Sequence, residues 1–122
     1  MEKRKYGFVS FWKHNDKWYT ASEEGKQMLI DRVNEISREA SAAGVEMSSV
    51  YDCSWSSEWR YFSFWQCPDI KVLLETMEKL QECGDINLYN LQHHYVGVEV
   101  RDNDRIDIYD PHYFNKVIKD EN

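Results

Sequence analysis

Two aromatic segments with almost no charge limit the folds open to this chain. Residues 6–12 read Tyr-Gly-Phe-Val-Ser-Phe-Trp, and residues 59–67 carry a charge only at Arg60. Aromatic and β-branched residues favour strands. Successive side chains of a strand point to opposite faces of the sheet, so a strand with apolar residues on both faces is covered on both sides. We therefore predict two central strands in a sheet whose two faces both need cover.

Two amphipathic helices are predicted between and after the strands. Apolar residues recur at spacings of three and four after a capping box in which Thr20 is the N-cap and Glu23 its partner. A second stripe of the same spacing begins at Ile70. Gly44 and Gly84 follow these stripes as closing glycines, since glycine takes the left-handed conformation that ends many helices.

Two further strands, at residues 45–53 and 92–100, complete the order β-α-β-β-α-β. This order is typical of the ferredoxin-like fold, an α+β class with a four-stranded antiparallel sheet and two helices on one face. Its first and third strands are central, which agrees with their low charge. We predict one domain over residues 1–122, with its core at about 5–100 and a tail at 101–122.

The face of this sheet opposite the helices has no cover within the chain. Val9, Phe11, Phe62 and Phe64 fall on that face by alternation. Monomers rarely expose an apolar patch of that size. A second copy of the chain is the simplest cover, so we predict a homodimer that closes into an α+β barrel.

Composition excludes several classes of partner. The formal net charge is −7, which disfavours nucleic acid, and no segment approaches the roughly 18 apolar residues of a membrane span. Three widely spaced cysteines, Cys53, Cys67 and Cys83, indicate reduced thiols in a cytoplasmic protein. If the second and third strands form a hairpin, Cys53 and Cys67 lie at opposite ends and no disulfide joins them.

One run of residues carries a family resemblance. Residues 61–69, Tyr-Phe-Ser-Phe-Trp-Gln-Cys-Pro-Asp, follow Trp18-Tyr19 and precede a leucine-rich helix ending at Gly84. This run resembles darcynin-like proteins of the dimeric α+β-barrel superfamily over about residues 5–100. The resemblance implies a function drawn from cofactor-independent monooxygenases, haem-degrading enzymes, isomerases or binding-only members, because one fold serves all of them.

The haem-degrading branch of that superfamily uses an Asn on the first strand, a Trp on the third and a His on the second helix. Trp65 matches the Trp, but Asn15 follows the first strand and no histidine lies in the second helix. We therefore predict no cofactor. We also predict no metal, since the neighbours His93 and His94 point to opposite faces of a strand.

Strand alternation groups the remaining candidates into a pocket. The predicted ligand-binding side chains are aromatic or imidazole groups with polar tips: Tyr51, Trp59, Tyr61, Trp65, His93 and Tyr95. His93 and Tyr61 are the predicted proton-handling pair of a cofactor-independent oxygenase or isomerase acting on an apolar or aromatic substrate. The alternative is a non-catalytic binding or assembly module in which these rings form only core.

Overall fold

The computed structural model describes residues 4–55 and 58–100, together with Asn115, Ile118 and Lys119. The predicted tail at 101–122 lies outside the described residues apart from those three. The described elements are β1 (Tyr6–His14), α1 (Asp16–Thr20), α2 (Glu23–Ala42), β2 (Glu46–Met47), β3 (Tyr51–Asp52), β4 (Tyr61–Cys67), α3 (Ile70–Glu82) and β5 (Asn90–Val98).

The strands form one antiparallel sheet in the order β2-β4-β1-β5, with β3 also paired to β4. The predicted ferredoxin-like arrangement is confirmed, and the two charge-poor strands β1 and β4 lie at its centre. The strand predicted at 45–53 is interrupted. Ser48 donates its amide to Phe64 O and accepts the Phe64 amide on its hydroxyl, both at 2.8 Å, so its side chain replaces part of the ladder.

The start of the long helix differs from the prediction at Thr20. Asn15 caps the short helix α1 by accepting from the amides of Lys17 and Trp18, and the Thr20 hydroxyl donates to Asp16 O at 2.8 Å. Ser22 is the N-cap of α2, since its hydroxyl accepts from the Gly25 amide at 3.0 Å. The capping box at Thr20 is therefore wrong, because the chain forms an extra turn of helix before it.

Both helices pack on the same side of the sheet and bury a common core. One buried cluster consists of Tyr6, Phe8, Ala40, Val45, Cys67, Ile70 and Leu73. A smaller cluster joins Ile36 of α2, Leu80 of α3 and Ile86. Complete burial of an aliphatic side chain such as Leu73 contributes about 1.5–3 kcal/mol to folding.

Both closing glycines are confirmed, with φ of +106° at Gly44 and +93° at Gly84. The three cysteines are not joined by disulfides. In the described part of the chain, no helix combines the length and apolar character needed to cross a membrane.

Candidate functional site

On the helix side of the sheet, three successive cross-strand rows of β1 and β4 differ sharply in size. Two rows are aromatic, with ring centroids 5.3 Å apart in one and 5.7 Å apart in the other. The row between them consists of two serines that face each other across β1 and β4. The rows are Phe8–Trp65, Ser10–Ser63 and Trp12–Tyr61. Because serine fills far less volume than an aromatic ring, the centre of this face is hollow.

A cavity of about 330 Å³ occupies that hollow, between the sheet and the two long helices. Its walls are mainly apolar, with hydroxyl, amide and carboxyl groups at intervals. Among the described residues it is lined by Phe8, Ser10, Trp12, Val33, Ser37, Met47, Ser48, Val50, Ser63, Trp65, Leu80, Asp85, Ile86 and Gln92. An apolar cavity of this size with a few polar groups is typical of a small-molecule site.

The two central serines of the lining are weakly hydrogen-bonded among the described residues. The side chains of Ser10 and Ser63 are only 4% and 5% exposed. Ser10 Oγ lies 3.4 Å from Gln92 Oε1, a long hydrogen bond, whereas the Ser63 hydroxyl forms none with the described residues. No side-chain nitrogen or oxygen among these residues is both fully buried and unpaired. The Ser63 hydroxyl therefore contacts accessible space, where a bound molecule would meet it.

Asp85 enters the cavity from the turn that joins α3 to β5. Gly84, in the left-handed region, ends the helix and its carbonyl accepts from the Tyr89 amide at 2.9 Å. Asn90, which is 3% exposed, donates its side-chain amide to both Asp85 O and Asp85 Oδ1 at 3.0 Å. Burial raises the pKa of Asp85 to about 6, against the lowering effect of the Asn90 hydrogen bond.

The other end of the Asn90 amide is held by a histidine. His14 Nδ1 lies 2.6 Å from Asn90 Oδ1. Since Asn90 Nδ2 faces Asp85, its oxygen accepts here, so His14 Nδ1 carries a proton. The imidazole in turn stacks on Trp18 with ring centroids 4.7 Å apart. Asn90 and Asp85 were not among the sequence candidates, although an Asp directly after a helix-closing glycine is visible in the sequence.

The register contradicts the grouping of His93 with the predicted pocket. Phe11 pairs with His93 and Ser10 with His94 across β1 and β5. His94 therefore shares the helix side with Ser10, and its ring lies 5.3 Å from that of Phe8, whereas His93 and Tyr95 point to the opposite face. Alternation within a strand is legible in the sequence, but its phase relative to a neighbouring strand depends on a register that sequence does not define.

The six predicted ligand-binding residues are thus divided between the two faces. On the open face, His93 Nε2 lies 2.7 Å from Tyr95 Oη, and the His93 ring stacks on Trp59 with centroids 6.1 Å apart. Tyr51 stacks on Phe62 on the same face. Trp65 lines the cavity on the helix side. Tyr61 is on that side too, in ring contact with Trp12 and His14.

The cavity does not fit a haem of the kind the superfamily resemblance raises. Helix α3 contains no histidine, and Asn15 caps α1 instead of lying on β1. Among the described lining residues, only the Met47 thioether is a group that ligates haem iron. In cytochromes, methionine does so together with a histidine. The described residues also contain no group of three or more metal-ligating side chains.

In fold, the chain is similar to solved structures of chlorite dismutases. A mutant chlorite dismutase from Candidatus Nitrospira defluvii has a TM-score of 0.67 at 12% identity, with 96% of this chain and 46% of that chain covered. The enzyme from the same organism in complex with imidazole has a TM-score of 0.65 at 11% identity, covering 89% and 46%. A protein provisionally described as a chlorite dismutase has a TM-score of 0.61 at 11% identity, covering 85% and 46%.

The chain spans about half the length of these neighbours, and identities this low show a shared fold alone. No curated protein matches the chain in sequence. The resemblance to darcynin-like proteins stays a prediction. The model of a family of unknown function, DUF6616, matches residues 5–104. Since that match covers most of the 122 residues, the chain belongs to the DUF6616 family.

Proposed function

We propose that the cavity between the sheet and the helices binds a small molecule with a largely apolar body. The observation that carries this proposal is the Ser10–Ser63 row, which lies between two aromatic rows and leaves a hollow of about 330 Å³. Phe8 and Trp65 form one wall and Trp12 the other. Such walls suit a flat, ring-sized ligand, with the serine hydroxyls below it for orientation.

A module whose interior is only packed core would have a different central row. Protein interiors pack at the density of organic crystals, and buried hydroxyls without partners cost free energy. Close packing favours larger aliphatic side chains at positions 10 and 63, and the cost of an unpaired hydroxyl counts against serine at 63. The chain has serines there instead, both almost fully buried. The serines therefore favour the hypothesis of a small-molecule-binding protein over that of a module whose interior is only packed core.

The proposal does not extend to a reaction. The sequence predicts His93 and Tyr61 as a proton-handling pair, but within one chain they lie on opposite faces of the sheet. The pair therefore cannot act together on a molecule in this cavity. A cofactor-independent oxygenase or isomerase activity stays a prediction, as does a cytoplasmic location.

We also propose that the open face of the sheet packs against a second copy of the chain. Phe11, Phe62 and Phe64 lie side by side there, and Tyr95 is 61% exposed at its edge. A patch of this kind marks an interaction surface. A symmetric contact suits it because its described centre bears no carboxylate, so two copies meet without acidic repulsion.

The binding proposal is tested by a substitution on the sheet that fills the cavity with a larger side chain. Ser63→Leu puts an aliphatic side chain into the hollow, and we expect its affinity for 3-methylindole to fall at least about tenfold while the fold persists. The matched control is Ser41→Leu, on the exposed side of α2. Ligand-observed NMR titration measures binding, which for a fragment of this size lies near the millimolar range.

Two results would contradict the proposal. One is the absence of 3-methylindole binding to the unmodified chain. The other is equal binding by Ser63→Leu and Ser41→Leu, which would place the fragment outside the cavity. Circular dichroism of both variants shows whether each is folded when it is titrated.

A further inference from the structure

We propose that Asp85 anchors the ligand and that the ligand is a cationic amine on an apolar, ring-sized body. This inference rests on the proposed binding function of the cavity and adds the chemical class of what it binds. It follows from the charges of the lining, from the way Asp85 is held, and from the partners its carboxylate lacks.

The charge of the described lining is one-sided. Asp85 is its single ionisable side chain, with no lysine, arginine or histidine to balance it. An anionic ligand would meet a carboxylate of the same sign in a low-dielectric space, which is strongly unfavourable. A cation would instead be attracted by Asp85 and by the faces of the Phe8, Trp12 and Trp65 rings, which favour positive charge through their quadrupoles.

The Asp85 carboxylate is held in place but only partly satisfied. Its Oδ1 accepts from Asn90 Nδ2 at 3.0 Å, and no other described side chain donates to the carboxylate. An ionised carboxylate can accept about four hydrogen bonds, so acceptor sites remain for a ligand. A protonated amine supplies up to three donors and the opposite charge, which a neutral hydroxyl does not.

Asn90 and His14 act as positioning residues for this anchor. The buried Asn90 amide can satisfy Asp85 only with its nitrogen turned towards the carboxylate. His14 fixes that orientation by donating from Nδ1 to Asn90 Oδ1. The arrangement resembles other binding sites in which an outer hydrogen bond orients the group that contacts the ligand.

An ionised carboxylate in this place costs stability, and a bound cation would offset that cost. Burial disfavours the ionised form, yet with a pKa of about 6 Asp85 is still mostly ionised at pH 7.5. A largely desolvated charge with no opposite charge beside it is unfavourable until one reaches it. Binding of an amine would remove that deficit.

The experiment compares three probes that share an indole ring and differ in the attached group: tryptamine, 3-methylindole and indole-3-propionate. At pH 7.5 we expect the affinity order tryptamine, then 3-methylindole, then indole-3-propionate. In Asp85→Asn the ratio of the affinity for tryptamine to the affinity for 3-methylindole should fall at least about tenfold. The control Asp31→Asn, on the exposed surface of α2, makes the same change in net charge and should preserve the order.

The outcomes separate this inference from the function on which it rests. Suppose that 3-methylindole binds the unmodified chain, that Ser63→Leu weakens this binding, and that the three probes bind with equal affinity. The cavity function then stands and the amine assignment is overturned. The assignment is also overturned if Asp85→Asn keeps the tryptamine preference, or if Asp31→Asn loses it as well. If none of the probes binds, the proposed function itself fails. The probe order in the unmodified chain is informative even if Asp85→Asn does not fold.

Discussion

The two faces of the sheet differ in what their side chains form, although alternate residues of the same strands build both of them. On the helix side, β1 and β4 contribute the serine row between aromatic rows, and α2 and α3 cover it. On the open side, the residues in between are Phe11, Phe62 and Phe64, with no described element of the chain above them. One face therefore carries a hollow partly covered by the helices, and the other presents an apolar patch that no described element of the chain covers.

The two faces also differ in charge. The cavity holds one carboxyl, Asp85, and no described cation. Towards one end of the open face lie a lysine and an imidazole, since the Lys13 ammonium is 5.3 Å from the Trp59 ring centroid and the same ring stacks on His93. Our two proposals follow this difference: small-molecule binding on the helix side and association with a second copy on the open side. Substitutions that act on only one face test this division.

The largest expected effect is loss of the dimer through a charge on the open face. We expect the unmodified chain at micromolar concentration to have about twice the 14.7 kDa chain mass by light scattering. Phe64→Asp places a carboxylate at the centre of the interface in both copies and should weaken association by ~30-fold or more, as for an interface hot spot. Leu74→Asp, on the exposed surface of α3, is the matched control and should remain dimeric.

A monomeric mass for the unmodified chain would contradict closure of the barrel, although it would leave the ferredoxin-like fold intact. Dissociation by Leu74→Asp but not by Phe64→Asp would place the interface on the helices and reverse the roles assigned to the two sides.

An effect of opposite sign, a gain in stability, is expected on the cavity side. The folded pKa of Asp85 is about 6, above its ordinary value of 3.8, so the folded state favours the protonated form. Stability from this group is therefore complete below pH 3.8 and declines as pH rises towards 6. Asp85→Asn cannot ionise, so it should be more stable than the unmodified chain by up to roughly 3 kcal/mol above pH 6, with almost no gain near pH 4.

Urea unfolding between pH 4 and 8 measures this difference, and Asp31→Asn serves as the control for net charge. A gain that is the same at every pH would arise from something other than ionisation of Asp85. A loss of stability at pH 7.5 would show that the carboxylate makes a stabilising contact beyond its hydrogen bond to Asn90.

The sequence was sufficient for features that depend on one segment at a time. The central position of β1 and β4 followed from their lack of charge, and the ends of the two long helices from Gly44 and Gly84. The helix start was missed because Asn15 and Thr20 stabilise a short helix through local hydrogen bonds that compete with the predicted capping box.

The candidate site required information that no single segment holds. Whether His93 or His94 faces the helices depends on the pairing of β5 with β1, and a shift by one residue would exchange them. The hollow exists because Ser10 and Ser63 are opposite each other, which is again a matter of register. Asp85 gains its unusual environment from Asn90 and from burial, both products of tertiary packing.

The smallest expected effects come from the two neighbouring histidines, which the register places on different faces. His93→Ala removes a ring stacked on Trp59 and a 2.7 Å contact with Tyr95 Oη on the open face. It should weaken the dimer by about 0.5–1 kcal/mol and leave 3-methylindole binding unchanged. His94→Ala removes a ring 5.3 Å from Phe8, so it should lower stability or cavity binding by a similar amount and leave the dimer unchanged.

Light scattering over a dilution series and NMR titration of each variant give the two readouts. Alternation alone placed His93 in the pocket, and that placement predicts loss of ligand binding in His93→Ala. If His93→Ala binds the fragment normally and dissociates more readily, the register is supported by function as well as by geometry. If it loses the fragment and keeps the dimer, the ligand lies on the open face, because His93 and the Ser10–Ser63 row are on opposite sides of a single sheet.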